Sequence, residues 1–188
     1  MKIIVGITGA SGSIYGLRLV EFLKSSGHQV HMVITDSGNK VIEYECPDIY
    51  RKILDGTDML YDVHDIGAAI ASGSFRADAM VVVPASMKTV ACIANGVTDN
   101  LLTRAADVML KERRTLIMVP REAPMHAGHL ENLLKVSRLG AVVIPASPGF
   151  YHKPVTVMDL VDMLVGKICD SLSIGNDLFE RWKGLPGD

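Results

Sequence analysis

Short apolar runs that alternate with helical segments limit, more than any other feature, how this chain can fold. The runs are four to seven residues long and lie at residues 2–7, 28–34, 80–83, 115–119 and 141–144. Short buried strands separated by helices are typical of βαβ units, because parallel strands need a crossover connection. The pattern therefore predicts an α/β fold, with a doubly wound parallel sheet in a single domain.

The segments between these runs carry helix signals. We predict helices at residues 14–25, 36–44, 88–94 and 130–139, one that starts at residues 98–99 and carries Arg104, and a strongly amphipathic one at 157–172. Residues 48–77 are the least regular, with a short helix and loops. We expect one domain at residues 1–183 and a loose C-terminal tail at 184–188.

Composition excludes some functions. The net charge of −2, without a Lys/Arg cluster, argues against nucleic acid. A hydrophobic fraction of 48% favours a homo-oligomer. The three widely spaced cysteines indicate free thiols in the cytoplasm. We expect neither a cleavable signal nor a membrane span.

The third apolar run ends in a loop suited to anions. Pro84 is followed by Ala85-Ser86-Met87-Lys88-Thr89, and a helix begins there. Free N–H groups and the helix dipole attract phosphate at such a point. An ordinary loop in which Ser86 caps the helix explains the pattern equally well, so both interpretations remain open.

The first turn favours a mononucleotide. Gly9-Ala10-Ser11-Gly12 lets the backbone approach a phosphate but lacks the dinucleotide spacing G-x-G-x-x-G. Asp36 stands where a ribose-binding acid would lie, although helix capping by residues 35–38 explains it as well. FMN therefore fits this turn better than NAD.

The fourth run ends in Pro120-Arg121-Glu122. An Arg beside a Glu at a strand's carboxyl end suits phosphate binding and proton transfer, whereas the alternative is a surface ion pair. His126 and His129 have no third partner at metal-ligand spacing, so we expect no metal. An Asp-rich magnesium motif for a diphosphate is also missing from the sequence.

Four blocks resemble the flavin prenyltransferase (UbiX) family: GITGASGSIYG, PASMKTVACIANGVTDNLLTRAADVMLKERR, VPREAPMHAGHLENL and PASPGFYHKP. The resemblance spans essentially the whole chain and implies an FMN-binding domain with a Rossmann-like, flavodoxin-type fold. It also implies transfer of a dimethylallyl group from dimethylallyl monophosphate to N5 and C6 of reduced FMN, without a metal. The product, prenylated FMN, would serve a UbiD-type decarboxylase, and the expected assembly is a homododecamer.

The resemblance also assigns roles to residues. FMN would be bound by Gly9, Ala10, Ser11, Ser37, Ser86, Met87, Lys88, Thr89 and Arg121. The dimethylallyl phosphate would be bound by Tyr151, Lys167, Arg121 and Trp182. Catalytic roles would fall to Glu122, to Glu43 and Ser11, and to Lys111 from a neighbouring subunit.

Simpler explanations exist for several of these residues. Lys167 could be a solvated helix residue, Tyr151 and Trp182 could pack in an interface, and Lys111 could complement a helix C-terminus. Two other functions also remain open, a direct FMN-dependent decarboxylase and a non-catalytic flavin carrier. The Ser-Met-Lys-Thr sequence after Pro84 argues against the decarboxylase, and the second set of phosphate-binding residues argues against the carrier.

Overall fold

The computed structural model describes residues 1–54 and 58–184. The strands are β1 Lys2–Ile7, β2 Gln29–Ile34, β3 Met59–Tyr61, β4 Ala79–Ala85, β5 Thr115–Pro120 and β6 Val142–Val143. The helices are α1 Ser13–Ser25, α2 Asp36–Glu45, α3 Pro47–Leu54, α4 Met87–Ala94, α5 Leu101–Lys111, α6 Ala127–Arg138 and α7 Val157–Ser171, and a 3-10 turn lies at Ala69–Ala71.

The described strands form one parallel sheet in the order β3-β2-β1-β4-β5-β6. The chain builds outward from β1 to β3 and then returns to place β4 on the other side of β1. This reversal creates a crevice at the carboxyl ends of β1 and β4, where doubly wound folds bind ligands. The predicted fold class is confirmed.

Both faces of the sheet are covered. Ile4, Met80 and Leu116 belong to a buried cluster with residues of α4 and α5. The alternate positions Ile3 and Val81 point to the opposite face and are fully buried as well. This two-sided burial explains why the strands are continuous apolar runs rather than alternating ones.

Some element boundaries differ from the sequence predictions. We predicted that the third run would stop at Pro84, but β4 continues to Ala85, which pairs with Pro120 after a register shift. Helix α5 begins at Leu101, because Asn100 and Thr103 form a capping box there. β3 was not predicted, since the three residues of Met59–Tyr61 are too short an apolar run to indicate a strand.

The chain divides into two compact units, Met1–Ala146 and Ser147–Asp188. In the second, Thr156 and Asp159 form a capping box that starts α7. Phe179, 8% exposed, packs on α7 at Gly166, where an added Cβ would lie 2.6 Å from its ring. Of the predicted tail, residues 185–188 lie outside the described residues, and the domain boundary stays a prediction.

No helix within the described ranges combines the length and the apolar character needed to cross a membrane.

Candidate active site

Thr8 joins the loops that follow β1 and β4. Its hydroxyl donates to the Pro84 carbonyl at 2.7 Å and accepts from the Ser86 N–H at 2.7 Å. The Thr8 side chain is fully buried. Both bonds fix the first turn against the start of α4, so the two predicted anion-binding loops form one edge of the crevice.

The loops after β1 and β2 also lie close together. A Cβ on Gly9 would fall 2.5 Å from the Ser37 Cβ, closer than two carbon atoms can approach. Thr35 caps α2, because its hydroxyl accepts from the Gly38 N–H at 3.1 Å. Asp36 lies 3.2 Å from His64 Nε2, so its carboxylate faces an imidazole.

Ser86 acts as the N-cap of α4, and its hydroxyl accepts from the Thr89 N–H at 3.4 Å. The capping interpretation of this loop is therefore confirmed, while binding of an anion there stays a prediction. Met87 is buried and Lys88 is exposed, with its Nζ 3.5 Å from Asp99.

These three loops enclose a cleft of about 410 Å³. Most of the residues that line it have polar side chains, and the lining comprises Gly9, Thr35, Asp36, Ser37, Val63, His64, Ser86, Lys88, Thr89, Cys92, Asp99, Asn100 and Thr103. Small-molecule sites typically occupy about 300–1,000 Å³ and combine apolar walls with a few fixed polar groups. Five of the nine predicted FMN residues line this cleft: Gly9, Ser37, Ser86, Lys88 and Thr89.

The N-terminus of α1 faces a carboxylate that we did not predict. Glu45 Oε2 accepts from the N–H groups of Gly12 and Ser13 at 2.9 and 3.1 Å. Burial raises the pKa of Glu45, but bonds from the Ser11 hydroxyl and these N–H groups, together with Arg121, lower the pKa overall. An anion is therefore held where we expected the turn to bind phosphate.

Arg121 reaches the same turn, since its Nε donates to the Ser11 carbonyl at 3.0 Å. Arg121, Ser11 and Glu45 thus form one polar cluster at the start of α1. Ala10 is buried beside it. The FMN contacts of all nine predicted residues, including Ala10, Ser11, Met87 and Arg121, stay predictions.

The remaining predicted catalytic residues of the first unit lie in separate places. Glu122 is half-buried and accepts from the Ala123 N–H at 3.1 Å. Lys111 pairs with Glu112 at 2.8 Å at the end of α5, and Glu43 is exposed on α2. None of the three lines the cleft of the first unit. Their catalytic roles remain predictions.

The second unit brings two predicted donor-site residues together. The rings of Tyr151 and Trp182 meet edge to face with centroids 5.8 Å apart, and both line a cavity of about 270 Å³. His152, Lys153, Arg181 and Lys183 add cationic or titratable groups to its wall. Lys167 is exposed on α7, with its Nζ 4.0 Å from Asp170.

Sequence reasoning missed Thr8, Glu45, Asp170 and Arg181. Glu45 is 33 positions from Gly12, and Asp170 is 11 from Arg181. No short motif spans such distances.

Metal-ligating side chains do not gather in the described ranges: no three of His, Cys, Asp and Glu are grouped so as to hold an ion. The expectation that catalysis needs no metal stays a prediction.

Comparison with known families first gives the class of protein. The family model described as Flavoprotein matches residues 1–179, nearly the whole chain. This class agrees with a doubly wound sheet that has a polar cleft at its topological reversal.

More similar relatives narrow the class. Flavin prenyltransferase UbiX of Methanothermobacter thermautotrophicus is 48% identical, over 97% of this chain and 95% of that protein. A solved structure described as AnUbiX in complex with FMN and dimethylallyl pyrophosphate superposes with a TM-score of 0.95, at 41% identity and 98% coverage of both chains. The chain belongs to the flavin prenyltransferase family, and the resemblance seen in the sequence is confirmed.

A third comparison concerns assembly. A dodecameric FMN-dependent UbiX-like decarboxylase from Escherichia coli O157:H7 has a TM-score of 0.94 and 42% identity, covering 98% of this chain and 100% of that chain.

Proposed function

We propose that this chain transfers a dimethylallyl group from dimethylallyl monophosphate to N5 and C6 of reduced FMN, without a metal ion. The observation that carries the proposal is the polar cleft at the reversal of strand order, in a chain whose full-length relatives are named flavin prenyltransferases. The product would be the prenylated FMN used by UbiD-type decarboxylases. We place the reaction in the cytoplasm and in a homododecamer.

The cleft residues fit FMN by size and by chemistry. Hydroxyls of Ser37, Ser86 and Thr89 and the starts of α2 and α4 supply neutral donors. Lys88 supplies a cation at the rim. Bound there in its reduced form, the flavin supplies the nucleophilic atoms that accept the prenyl group.

The donor requires different chemistry, because its C–O bond breaks as positive charge develops on an allylic carbon. Lys167 and Tyr151 would hold the departing phosphate by charge and by hydrogen bonding. The ring faces of Tyr151 and Trp182 would stabilise the developing cation. Arg121 would add positive charge near the phosphate, and Lys111 would do so from a neighbouring subunit.

Two carboxylates would manage protons. Glu122 would protonate the phosphate, and a carboxylate of α2 would support the proton path with Ser11. The resemblance gives Glu43 for the second role. We assign that role to Glu45, because Glu45 is the α2 carboxylate that contacts the Ser11 turn.

The test is anaerobic and free of metal. The purified chain is mixed with reduced FMN and dimethylallyl monophosphate in the presence of a chelator, and the extracted flavin is analysed by mass spectrometry. We expect the flavin to gain one five-carbon unit. A parallel reaction with dimethylallyl pyrophosphate, the molecule named in the AnUbiX complex, identifies the preferred phosphate.

One outcome favours a second function. The E. coli relative is described as a decarboxylase. If the flavin keeps its mass while carbon dioxide is released from an aromatic acid, direct decarboxylation replaces prenyl transfer.

A further inference from the structure

Asp170 stands at the centre of the second unit's polar contacts. The two guanidinium nitrogens of Arg181 each donate to a different carboxylate oxygen of Asp170, and the Nη2 to Oδ1 distance is 2.7 Å. Paired contacts of this kind fix the orientation of both groups as well as their distance. The Asp170 side chain is 27% exposed, so it is partly shielded from water.

Other contacts join the same segment to α7. Asn176 Nδ2 donates to Asp170 Oδ1 at 3.0 Å and to the Gly166 carbonyl at 3.3 Å. The Arg181 guanidinium also lies 4.6 Å from the centre of the Phe179 ring, which packs on Gly166. Residues 176–181 are therefore held against α7, with Asp170 as the common acceptor.

Trp182 directly follows this held segment. The residue is 57% exposed, and its ring meets the Tyr151 ring edge to face. An exposed ring has little packing of its own to fix it, so its position depends on the backbone beside Arg181. Lys167 lies beside the same carboxylate. Its Nζ is 4.0 Å from Asp170 Oδ2, the oxygen that Arg181 Nη1 contacts.

We propose that Asp170 is a positioning residue for the dimethylallyl donor: through Arg181 it places Trp182 against Tyr151. This inference rests on the function proposed above. Arg181 occupies both Asp170 oxygens at shorter range than Lys167, which leaves the Lys167 ammonium, 53% exposed, available to a phosphate. Asp170 acts on the donor only through these neighbours.

The first experiment does not depend on turnover. Trp182 is the only tryptophan in the chain, so tryptophan emission reports on this ring alone. Acrylamide quenching and emission anisotropy are measured on the full chain for the wild type, Asp170→Asn and Arg181→Gln. Asp177→Asn, which removes a carboxylate from the same segment, is the matched control.

We expect the quenching constant to rise about twofold and the anisotropy to fall in Asp170→Asn and Arg181→Gln, with no change in Asp177→Asn. Circular dichroism and the thermal midpoint verify that each variant is folded. A folded Asp170→Asn variant with wild-type quenching and anisotropy overturns the inference. If Asp170→Asn does not fold, Arg181→Gln decides by the same criterion.

The second experiment tests the donor. We expect KM for dimethylallyl monophosphate to rise about tenfold in Asp170→Asn and in Arg181→Gln, with an unchanged Kd for FMN. The double variant should be no worse than either single variant, because both break one connection. Arg181→Lys should recover part of the loss.

The two proposals fail in different ways. A wild-type chain that transfers no prenyl group overturns the proposed function. A mobile Trp182 with an unchanged KM for the donor overturns the role of Asp170 in donor binding while prenyl transfer stands.

Discussion

At the scale of single residues, Glu45 has a structural role that its neighbour on the same helix lacks. Both side chains are exposed, but Glu45 bonds the N–H groups that begin α1, a contact that Glu43 does not make. A carboxylate at this point satisfies free donors and complements the helix dipole. The contact ties the end of α2 to the start of α1.

We therefore expect Glu45→Ala to lower the free energy of unfolding by about 1 kcal/mol, the usual cost of a lost helix N-cap. Glu43→Ala is the control and should change it by less than about 0.5 kcal/mol, as for most surface substitutions. Urea denaturation at pH 7 measures both. Equal effects of the two substitutions would contradict the assigned contact.

The contribution of Glu45 to stability also depends on pH. Because folding lowers the Glu45 pKa, this contribution is present at neutral pH and is lost as acid protonates the carboxylate.

Glu122 carries a prediction about chemistry rather than stability. Glu122→Gln keeps the shape of a half-buried side chain but cannot donate a proton to phosphate. We expect prenyl transfer to slow by about 100-fold or more, the typical contribution of a general acid. The Kd for FMN should stay the same. Glu131→Gln, on the exposed face of α6, is the control, and equal turnover in both variants would remove the proton-donor role.

At the scale of elements, the loops after β1 and β2 can contact each other because Gly9 carries a hydrogen atom where any other residue carries a Cβ. Gly9→Ala would place a Cβ 2.5 Å from the Ser37 Cβ and push the loops after β1 and β2 apart. We expect a loss of about 1–3 kcal/mol of stability, as for other overpacked sites, and weaker FMN binding. In Gly67→Ala the new Cβ meets its nearest atom at 3.4 Å, an ordinary contact.

Thermal denaturation and FMN titration compare these two variants. Wild-type FMN affinity in Gly9→Ala would mean that the loops separate without cost to the cleft. A loss of the same size in Gly67→Ala, a change in the loop after β3, would mean that the close contact at Gly9 is not the cause.

The β2–β3 pair contains a pH-sensitive group. His31 is 5% exposed, its Nδ1 lies 3.0 Å from the Tyr61 hydroxyl, and its Nε2 is buried without a partner among the described residues. Burial lowers its pKa and the Lys2 charge lowers it further, although Asp58 opposes both. Between that lowered pKa and 6.5 the unfolded chain binds a proton that the folded chain does not.

Stability from this site is therefore full above about pH 6.5 and falls as the pH drops, by up to about 1.4 kcal/mol per pH unit. We expect His31→Gln to flatten the acid slope of the unfolding free energy between pH 7.5 and 5. His64→Gln, with an exposed imidazole, serves as the control. An unchanged slope in His31→Gln would show that another group causes the acid loss.

The elements that the sequence predicted well are those with a local signal. β1 was predicted at its observed bounds and α7 to within one residue, because apolar periodicity and capping residues lie within the segments themselves. β3 was missed because a short edge strand with exposed Met59 and Leu60 has no such signal. The extension of β4 through Pro84 depends on its partner strand, which the local sequence does not specify.

At the scale of the whole molecule, some features of the candidate site have a local sequence signal and others do not. The parallel direction of the strands could be inferred, so the loops that carry Gly9, Ser37 and Ser86 were predicted to lie at one edge of the sheet. Contacts between distant residues, such as Glu45 with Gly12, depend on where α2 ends in space. The spacing of residues along the chain does not indicate where the end of α2 lies relative to the start of α1.

Assembly is the prediction that belongs to this scale. Helix α6 exposes Leu130 and Leu134, 55% and 52% accessible and one turn apart, on a single face. Light scattering after gel filtration should give a mass about twelve times the 20.3 kDa of one chain, as expected from the dodecameric relative. Leu134→Glu should lower that mass. A wild-type mass of one chain would contradict the predicted assembly.

The lengths of the strands have a consequence for handling the protein at high concentration. The outer strands of the sheet, β3 and β6, have three and two residues, while the four strands between them have six or seven. Long unpaired edges recruit strands from other molecules and start aggregation. The short outer strands of this chain offer little backbone for such pairing, so substitutions meant to improve yield do not belong on the sheet.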